Sequence, residues 1–508
     1  MNYDHLIIGA GSAGAVLAAR LSEDPQKSIL LIEAGPDFTS IDALPAEIKY
    51  GWFPDSSGNL GVKTDSYNWG FIGKATDESP NIEVPRGKII GGSSSTNAQG
   101  FIRAIPEDFA EWVSFGNDTW TYKNALKYYK KLETDLDIKD EFHGSTGPIL
   151  ARRFKKSEWT TISQDFYNSC ISLGFNDSID INNPKSTGVG ALPFNNPDRI
   201  RWSTSIGYLN DIRDRKNLTV ISNSHAKKIL FKDFVAIGVE CDVSGTDYIF
   251  EAKNIILSAG AICSPQLLML SGIGPSDHLE NFGIPTLYDS PAVGRNLRDH
   301  PRVPLIWDSI NEINLQENQS PMQVVLRYTA KDSSFRNDIY IIVGAVSTDQ
   351  TVRMGVGLYK AISSGSINLN SNDPYSQPII NYNYFSDDSD LQRTREAVRL
   401  ACQIVSSDEF INVNGYPVGM DSNILLDDQA LNLWMRTNVD TFHHISGTCK
   451  MGLSGKSDSV VDQFGRVYGV NNLRVVDASI MPDCVRANTN ATVIMMAEKI
   501  SDDIKNGN

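Results

Sequence analysis

The first thirty-three residues constrain the fold most. Tyr3 to Ile8 is a short apolar run, and Gly9-Ala10-Gly11-Ser12-Ala13-Gly14 follows it without a spacer. Ala13 to Leu21 is rich in alanine and leucine at helical spacing, and Ser28 to Ile32 is a second apolar run closed by Glu33. Strand, glycine turn, helix and strand make one βαβ unit, which calls for a parallel sheet. A GxGxxG string alone is weak, but here each residue has a physical task. Gly9 permits the tight turn, Gly11 lets a backbone approach a pyrophosphate, and Gly14 lets the helix pack close on the strand. The helix N-terminus offers N–H groups and a partial positive charge to the anion. Glu33 can accept both hydroxyl hydrogens of a ribose, and its charge would repel a 2′-phosphate. The bland alternative is a βαβ turn with no ligand. The motif predicts a dinucleotide and does not separate FAD from NAD.

Further along, the patterns alternate. Residues 105–134 carry helical periodicity with many aromatics, and 141–200 read as loop-rich. Asn217 to Cys241 alternates like a small antiparallel sheet, whereas Asn254 to Leu257 reads as another buried strand. Strand-like stretches recur at Val303–Ile306, Ile339–Ala345 and Gly355–Tyr359, and Asp388 to Ser406 is helical. The end returns to strand at Leu473–Val476 and to a helix from Thr492 to Ile504. A dinucleotide signal at one end and its partner strand at the other predict a mixed α/β protein with a discontinuous cofactor domain. That domain takes 1–150, 195–300 and 443–508; a substrate domain takes 151–194 and 301–442.

Composition excludes several partners. A net charge of −15 disfavours nucleic acid, which needs basic patches to displace counterions. No run approaches the ~18 apolar residues of a membrane span, and no basic, apolar signal segment opens the chain. The six cysteines are scattered without a CxxC pair, which predicts reduced structural thiols in a cytoplasmic protein. The seven histidines lack metal-ligand spacing, so no metal is expected.

A second glycine cluster, Pro85-Arg-Gly-Lys-Ile-Ile-Gly-Gly-Ser-Ser-Ser-Thr-Asn97, can donate backbone N–H groups to a second phosphate or a flat ring. Here the chain resembles the glucose–methanol–choline oxidoreductases over essentially its whole length. Arg86 to Asn97 looks like that family's first signature. Ser258-Ala-Gly-Ala-Ile-Cys-Ser-Pro-Gln-Leu-Leu-Met-Leu-Ser-Gly-Ile-Gly-Pro275 looks like its second, and Val293-Gly-Arg-Asn-Leu-Arg-Asp-His300 is similar to the segment after it. Trp112, Gly116, Asn117, Trp120 and Tyr122 match its aromatic-rich stretch. The resemblance implies FAD, a Rossmann-like FAD-binding domain, and an antiparallel sheet over the flavin face. It places Ser12, Ala13, Ala34, Arg86, Gly91, Gly92, Ser93, Asn97 and Ala98 beside the cofactor, with Ala226 at its adenine end. Asp477, Ala478 and Thr489 would lie along the phosphate and ribityl region. Some members attach FAD covalently through a histidine just before the signature asparagine. Thr96 stands there, which implies dissociable FAD.

Expelling hydride from an alcohol requires that its hydroxyl proton be removed, and histidine is the usual base. His443 and His444 precede Ile445-Ser-Gly-Thr-Cys-Lys-Met-Gly452. Neighbours in a strand face opposite ways, so only one should meet the cofactor. The family motif His-x-x-Gly-Thr-x-x-Met-Gly selects His444 and leaves His443 to packing. Phe442 falls on the same side as His444 and would narrow the cavity. The resemblance places the second catalytic residue at Asn488, an amide able to donate to the substrate oxygen; its bland alternative is a helix cap. The chemistry implied is oxidation of a small, primary alcohol, with His444 as base and hydride transfer to flavin N5. Reoxidation by O2 is the leading expectation. A dehydrogenase using a quinone or protein acceptor is the first alternative, and a non-redox flavin lyase the second. The run Lys360-Ala-Ile-Ser-Ser-Gly365 lacks the arginine common in the family before that glycine, and the segment 301–350 is short, which suggests an open pocket mouth. Tyr359 and Trp434 are further candidates for an aromatic lining.

Overall fold

Leu6, Ile7 and Ile8 are almost wholly buried, which a strand achieves when its sheet is covered on both faces. In the computed structural model, which describes residues 2–51, 65–315 and 319–508, strand Asn2–Ile8 lies in the middle of such a sheet. It runs parallel to Ile29–Ile32 on one side and to the far half of Thr246–Leu257 on the other. Leu218–Ile221 and Leu473–Val475 add parallel strands beyond these. The near half of Thr246–Leu257 instead pairs antiparallel with Val235–Val243, which pairs with Ser224–Lys232. The alternation across Asn217 to Cys241 therefore divides. Leu218–Ile221 joins the parallel sheet as an edge strand, and an edge strand buried mainly on one face alternates as an antiparallel one does.

Helix Gly14–Leu21 buries every residue but Arg20. The C-terminal helix Thr489–Lys505 packs on it and begins before Thr492, because Asn488 occupies the capping position. Its Glu498 has a fully buried carboxylate, which Arg20 Nη2 meets at 2.7 Å, Lys131 Nζ at 3.0 Å and the Tyr208 hydroxyl at 2.8 Å. Removing one partner of a buried ion pair costs about 3–5 kcal/mol, so this cluster fixes the two ends of the chain against each other.

The second large sheet is antiparallel throughout, in the order Asp440–Thr441, Pro301–Asp308, Thr351–Leu358, Ile339–Val346, Val324–Tyr328, Gly188–Ala191. Ile339–Val346 is buried along its whole length beneath helices Asp388–Val405 and Thr161–Ser172. The latter helix lies in the stretch that reads as loop-rich. Its many serines and threonines are weak helix formers, and tertiary packing plus the Thr160 cap (accepting from Ser163 N at 3.2 Å) sustain it. A smaller sheet joins Ser366–Asn368 and Ile379–Asn381 to Phe71–Lys74 and Asn81–Val84. Among the described residues no helix is long and apolar enough to cross a membrane.

Candidate active site

The two glycine motifs, far apart in sequence, meet back to back. Gly91 N donates to Ala10 O at 2.8 Å, and a Cβ on Gly92 would stand 2.7 Å from Gly11 Cα. Gly9, with φ +94°, has no room for a Cβ against Ser258 O, and a Cβ on Gly14 would lie 1.9 Å from Gly9 O. Side chains are therefore excluded where the turn, the second loop and the 258–260 loop converge, and backbone N–H groups surround a cleft at the start of helix Gly14–Leu21.

Two buried carboxylates brace this cleft. Glu33 accepts from Ala10 N at 2.8 Å and Gly35 N at 3.0 Å, while burial pushes its carboxyl up to about 7. Asp477 accepts from Ser479 N at 2.8 Å, Gly260 N at 2.9 Å and Ser264 Oγ at 2.6 Å. It thereby ties the C-terminal strand's turn to the loop after Thr246–Leu257.

A cavity of about 1070 Å³ runs from the glycine turn to the antiparallel sheet. Gly9, Gly11, Ser12, Ala13, Glu33, Ala34, Arg86, Gly92, Ser93, Asn97, Ala98 and Ala226 all line it, as do Phe442, His444, Asp477, Ala478, Asn488 and Thr489. Gly14 and Gly91 do not; they shape the backbone behind the wall. The volume stands at the upper end of sites for small organic ligands, which suits a dinucleotide with a small substrate. The Cβ-free cradle and the buried Oδ1 of Asn488, unpartnered among the described residues, fit a ligand that brings phosphates and hydrogen-bonding groups.

His444 and Asn488 meet at the far end of this cavity. Asn488 stands at the capping position of the C-terminal helix, yet its side chain does not cap it. Its Nδ2 lies 3.0 Å from His444 Nε2 instead. Asn490 turns aside and accepts from Ser12 Oγ at 2.8 Å. His444 Nδ1 is 2.9 Å from His300 Nδ1, and the His444 backbone N–H donates to Asp299 Oδ1 at 2.7 Å. Asp299 also accepts from His300 N at 2.8 Å and from the Tyr384 and Thr441 hydroxyls, so one carboxylate orients both histidine backbones. Burial holds the His444 imidazole well below its ordinary pKa, with His300, His443 and Arg86 adding to the depression. His300 is held down to about 3, mainly by burial. An amide nitrogen only donates, so His444 Nε2 must accept and its proton sits on Nδ1. There it donates to His300 Nδ1, which places the His300 proton on Nε2.

His443 differs from expectation. The strand ends at Thr441, and His443 takes φ 65°, a left-handed conformation uncommon for such a residue. Consecutive side chains then stop alternating, and Phe442, His443 and His444 all line the cavity. His443 is thus a wall residue rather than packing. The Phe442 ring is parallel to that of His444 within 3° and lies over Gly355 and Gly357 of strand Thr351–Leu358, where absent side chains make room for it. Tyr359 stands behind the wall, fully buried and stacked on His300 at 4.1 Å. Trp434 is away from the cavity, its indole N–H bound to Gly419 O at 2.9 Å.

Family comparison decides between dinucleotides. The N-terminal GMC oxidoreductase model matches residues 3–302 and the C-terminal one residues 361–497. The chain belongs to the GMC oxidoreductase family. It is 33% identical to mouse (Mus musculus) mitochondrial choline dehydrogenase, covering 99% of this chain and 89% of that protein. It is 34% identical to 5-(hydroxymethyl)furfural oxidase of Methylovorus sp., covering 99% and 98%. Among solved structures, pyridoxine 4-oxidase from Mesorbium loti superposes with a TM-score of 0.91 at 28% identity, over 99% of both chains. As a GMC oxidoreductase the protein is an FAD-dependent enzyme acting on CH–OH groups.

Thr96 lines the cavity, as its place before Asn97 implies; sequence alone does not single out Gln99, Arg302, Trp69, His225 or Tyr375, yet all reach the cavity. Arg302 directly follows His300-Pro301, and that adjacency was the available signal. Lys360, which opens the run that departs from the family pattern, is buried in ion pairs with Glu111 and Asp483, away from the cavity.

Proposed function

We propose that this GMC enzyme oxidises a small primary alcohol to a carbonyl, with His444 as the general base and Asn488 as the donor to the reacting oxygen. The observation that carries this is the 3.0 Å contact between His444 Nε2 and Asn488 Nδ2 at the inner end of the cofactor cavity. A lone pair and an N–H side by side suit a hydroxyl, which needs one group to take its proton and another to hold its oxygen. FAD, when bound, supplies the two-electron oxidant for the carbon.

The protein's part begins with a neutral His444, which burial favours across the physiological range. The alcohol O–H displaces the amide and donates to Nε2, and Asn488 turns its N–H onto the alcohol oxygen. As the proton arrives at Nε2, the Nδ1–H bond to His300 becomes charge-assisted and steadies the imidazolium. Glu33 would hold the ribose hydroxyls, and the Gly9 to Gly14 turn with Gly92 and Ser93 would hold the pyrophosphate. Thr96 at the position before Asn97 supports non-covalent FAD.

The names 5-(hydroxymethyl)furfural oxidase and pyridoxine 4-oxidase support O2 as the electron acceptor. A relative named oxygen-dependent choline dehydrogenase supports O2 as well, and a quinone or protein acceptor is the alternative reading. The free cysteines support a reducing compartment, the cytoplasm. In the test, His444→Ala retains the yellow FAD absorbance while anaerobic bleaching by substrate falls about 10²–10⁴-fold. Bleaching at the parental rate overturns the assignment of the base.

A further inference from the structure

We infer that Arg302 and His443 form a subsite for an anionic oxygen group, so that the preferred alcohols carry a carboxylate; this rests on the alcohol-oxidation reading above. Arg302 lies on strand Pro301–Asp308, two residues after His300, so the backbone that sets the base's partner also sets this guanidinium. It lines the cavity, with its Cζ 5.8 Å from the Phe442 ring centre. Asp440, opposite it in the strand register, takes Nη2 in an ion pair. Among the described residues, Arg302 Nε and His443 Nδ1 are both buried without a hydrogen-bond partner. Two unsatisfied nitrogens in one corner of a cavity are costly unless a ligand meets them.

Charge points to the kind of ligand. Arg302 and Arg86 both act on His443 as cations, and Asp440 alone opposes them. Asp440 is held in place by Thr441 N at 2.8 Å, and the nearby Asp299 is already enclosed by hydroxyl and backbone donors. A carboxylate entering this corner meets the Arg302 guanidinium with capacity left over, since it has five N–H groups and Asp440 meets one. A neutral tail would leave those donors empty. Phe442, Met322 and Ile342 supply an apolar wall for the rest of the molecule.

The test is binding of dead-end ligands to the oxidised FAD enzyme, read from the flavin spectrum. Benzoate is expected to bind about tenfold or more tightly than its neutral counterpart benzamide. Arg302→Met should abolish that ratio with FAD absorbance retained, and Asp440→Asn, which removes the competing carboxylate, should widen it. Equal binding of the two ligands by the parent enzyme overturns the subsite, as does a ratio unchanged in Arg302→Met. If Arg302→Met does not fold, an unchanged ratio in Asp440→Asn overturns it equally. Because no turnover is needed, failure of the subsite is separable from failure of alcohol oxidation, which would appear as absent bleaching with every alcohol. In turnover, 4-(hydroxymethyl)benzoate should show a lower KM than benzyl alcohol, and the difference should vanish in Arg302→Met.

Discussion

The Nδ1 atoms of His300 and His444 lie 2.9 Å apart with their rings at 71°, so one of the two nitrogens must donate and the other accept. Asn488 on the far side of His444 sets which. His300 cannot swing away, because it stacks on Tyr359 at 4.1 Å, and Tyr359 stacks on Tyr340 at 3.8 Å. His300 is a positioning residue acting through the base. His300→Ala is expected to slow anaerobic flavin reduction by about tenfold or more, less than loss of the base itself. His300→Asn, whose amide oxygen can accept from Nδ1–H, should recover part of that loss. Stopped-flow reduction with FAD content measured in parallel checks both; a defect confined to FAD content would refute the positioning role.

How much of this was legible in the sequence differs between the two ends of the cavity. The cofactor end was readable because backbone geometry requires particular residues: a Cβ at Gly9, Gly14 or Gly92 meets backbone atoms, so only glycine is accommodated. Motif register picked out His444 and Asn488, whose side chains meet, over Asn490, which bonds Ser12. The substrate end was not readable. The left-handed turn at His443 reverses an alternation argument that assumed a strand, and no local signal announces it. Arg302 reads as one more strand residue until the fold brings Asp440 and Phe442 beside it. His300 needed the tertiary structure too, since its partner is remote in the chain.

Glu33 is expected to make cofactor affinity pH-dependent. Its carboxyl titrates near 7 because burial outweighs the N–H groups of Ala10, Gly35 and Ala34. The ionised form can accept from both ribose hydroxyls, and the protonated form loses acceptor capacity. FAD affinity of the apoprotein should therefore weaken as pH falls from 8 to 6, and this slope should disappear in Glu33→Gln. Titration of apoprotein with FAD, followed by fluorescence quenching, measures it. Acid precipitation of the holoenzyme should leave all the flavin in the supernatant, as Thr96 implies.

The histidines set opposing limits on stability. His5, His225, His278, His300, His443 and His444 are all depressed, chiefly by burial. The unfolded chain binds more protons at these sites, so stability is present above about pH 6.5 and is lost as pH falls below it, at about 1.4 kcal/mol per unit of depression for the buried groups and less for the solvent-screened His278. His143 is the reverse. Its Nδ1 meets Asp135 at 2.8 Å and its Nε2 Asp180 at 3.0 Å, and these bonds with Glu133 raise it to about 10. Its contribution is complete below the unfolded value near 6.5 and is lost as pH rises through 10. Glu133, Asp135 and His143 are close enough together to suggest a metal site, but Arg103 and Arg153 already answer the carboxylates. His143→Ala leaves the three carboxylates Glu133, Asp135 and Asp180 against two guanidiniums and should cost about 3–5 kcal/mol at pH 7. Thermal unfolding across pH 5 to 10 checks the maximum and its loss; added zinc or magnesium that raised the melting point would refute the ion-pair reading.

Gly357 and Phe442 form a coupled pair. A Cβ on Gly357 would sit 2.4 Å from Phe442 Cε2 and 2.9 Å from Tyr359 Cε2. Tyr359 is boxed between His300 and Tyr340, so Phe442 must yield, and the space open to it is the cavity. Gly357→Ala is expected to cost about 1–3 kcal/mol of stability by overpacking and to raise KM, with FAD content unchanged. Phe442→Ala alone should enlarge the cavity and loosen substrate binding. In the double variant the Cβ no longer strikes Phe442 and keeps only the 2.9 Å contact with Tyr359, so the stability loss should fall short of the sum of the two single losses. Simple additivity in thermal unfolding would mean that Phe442 does not rest on this glycine face.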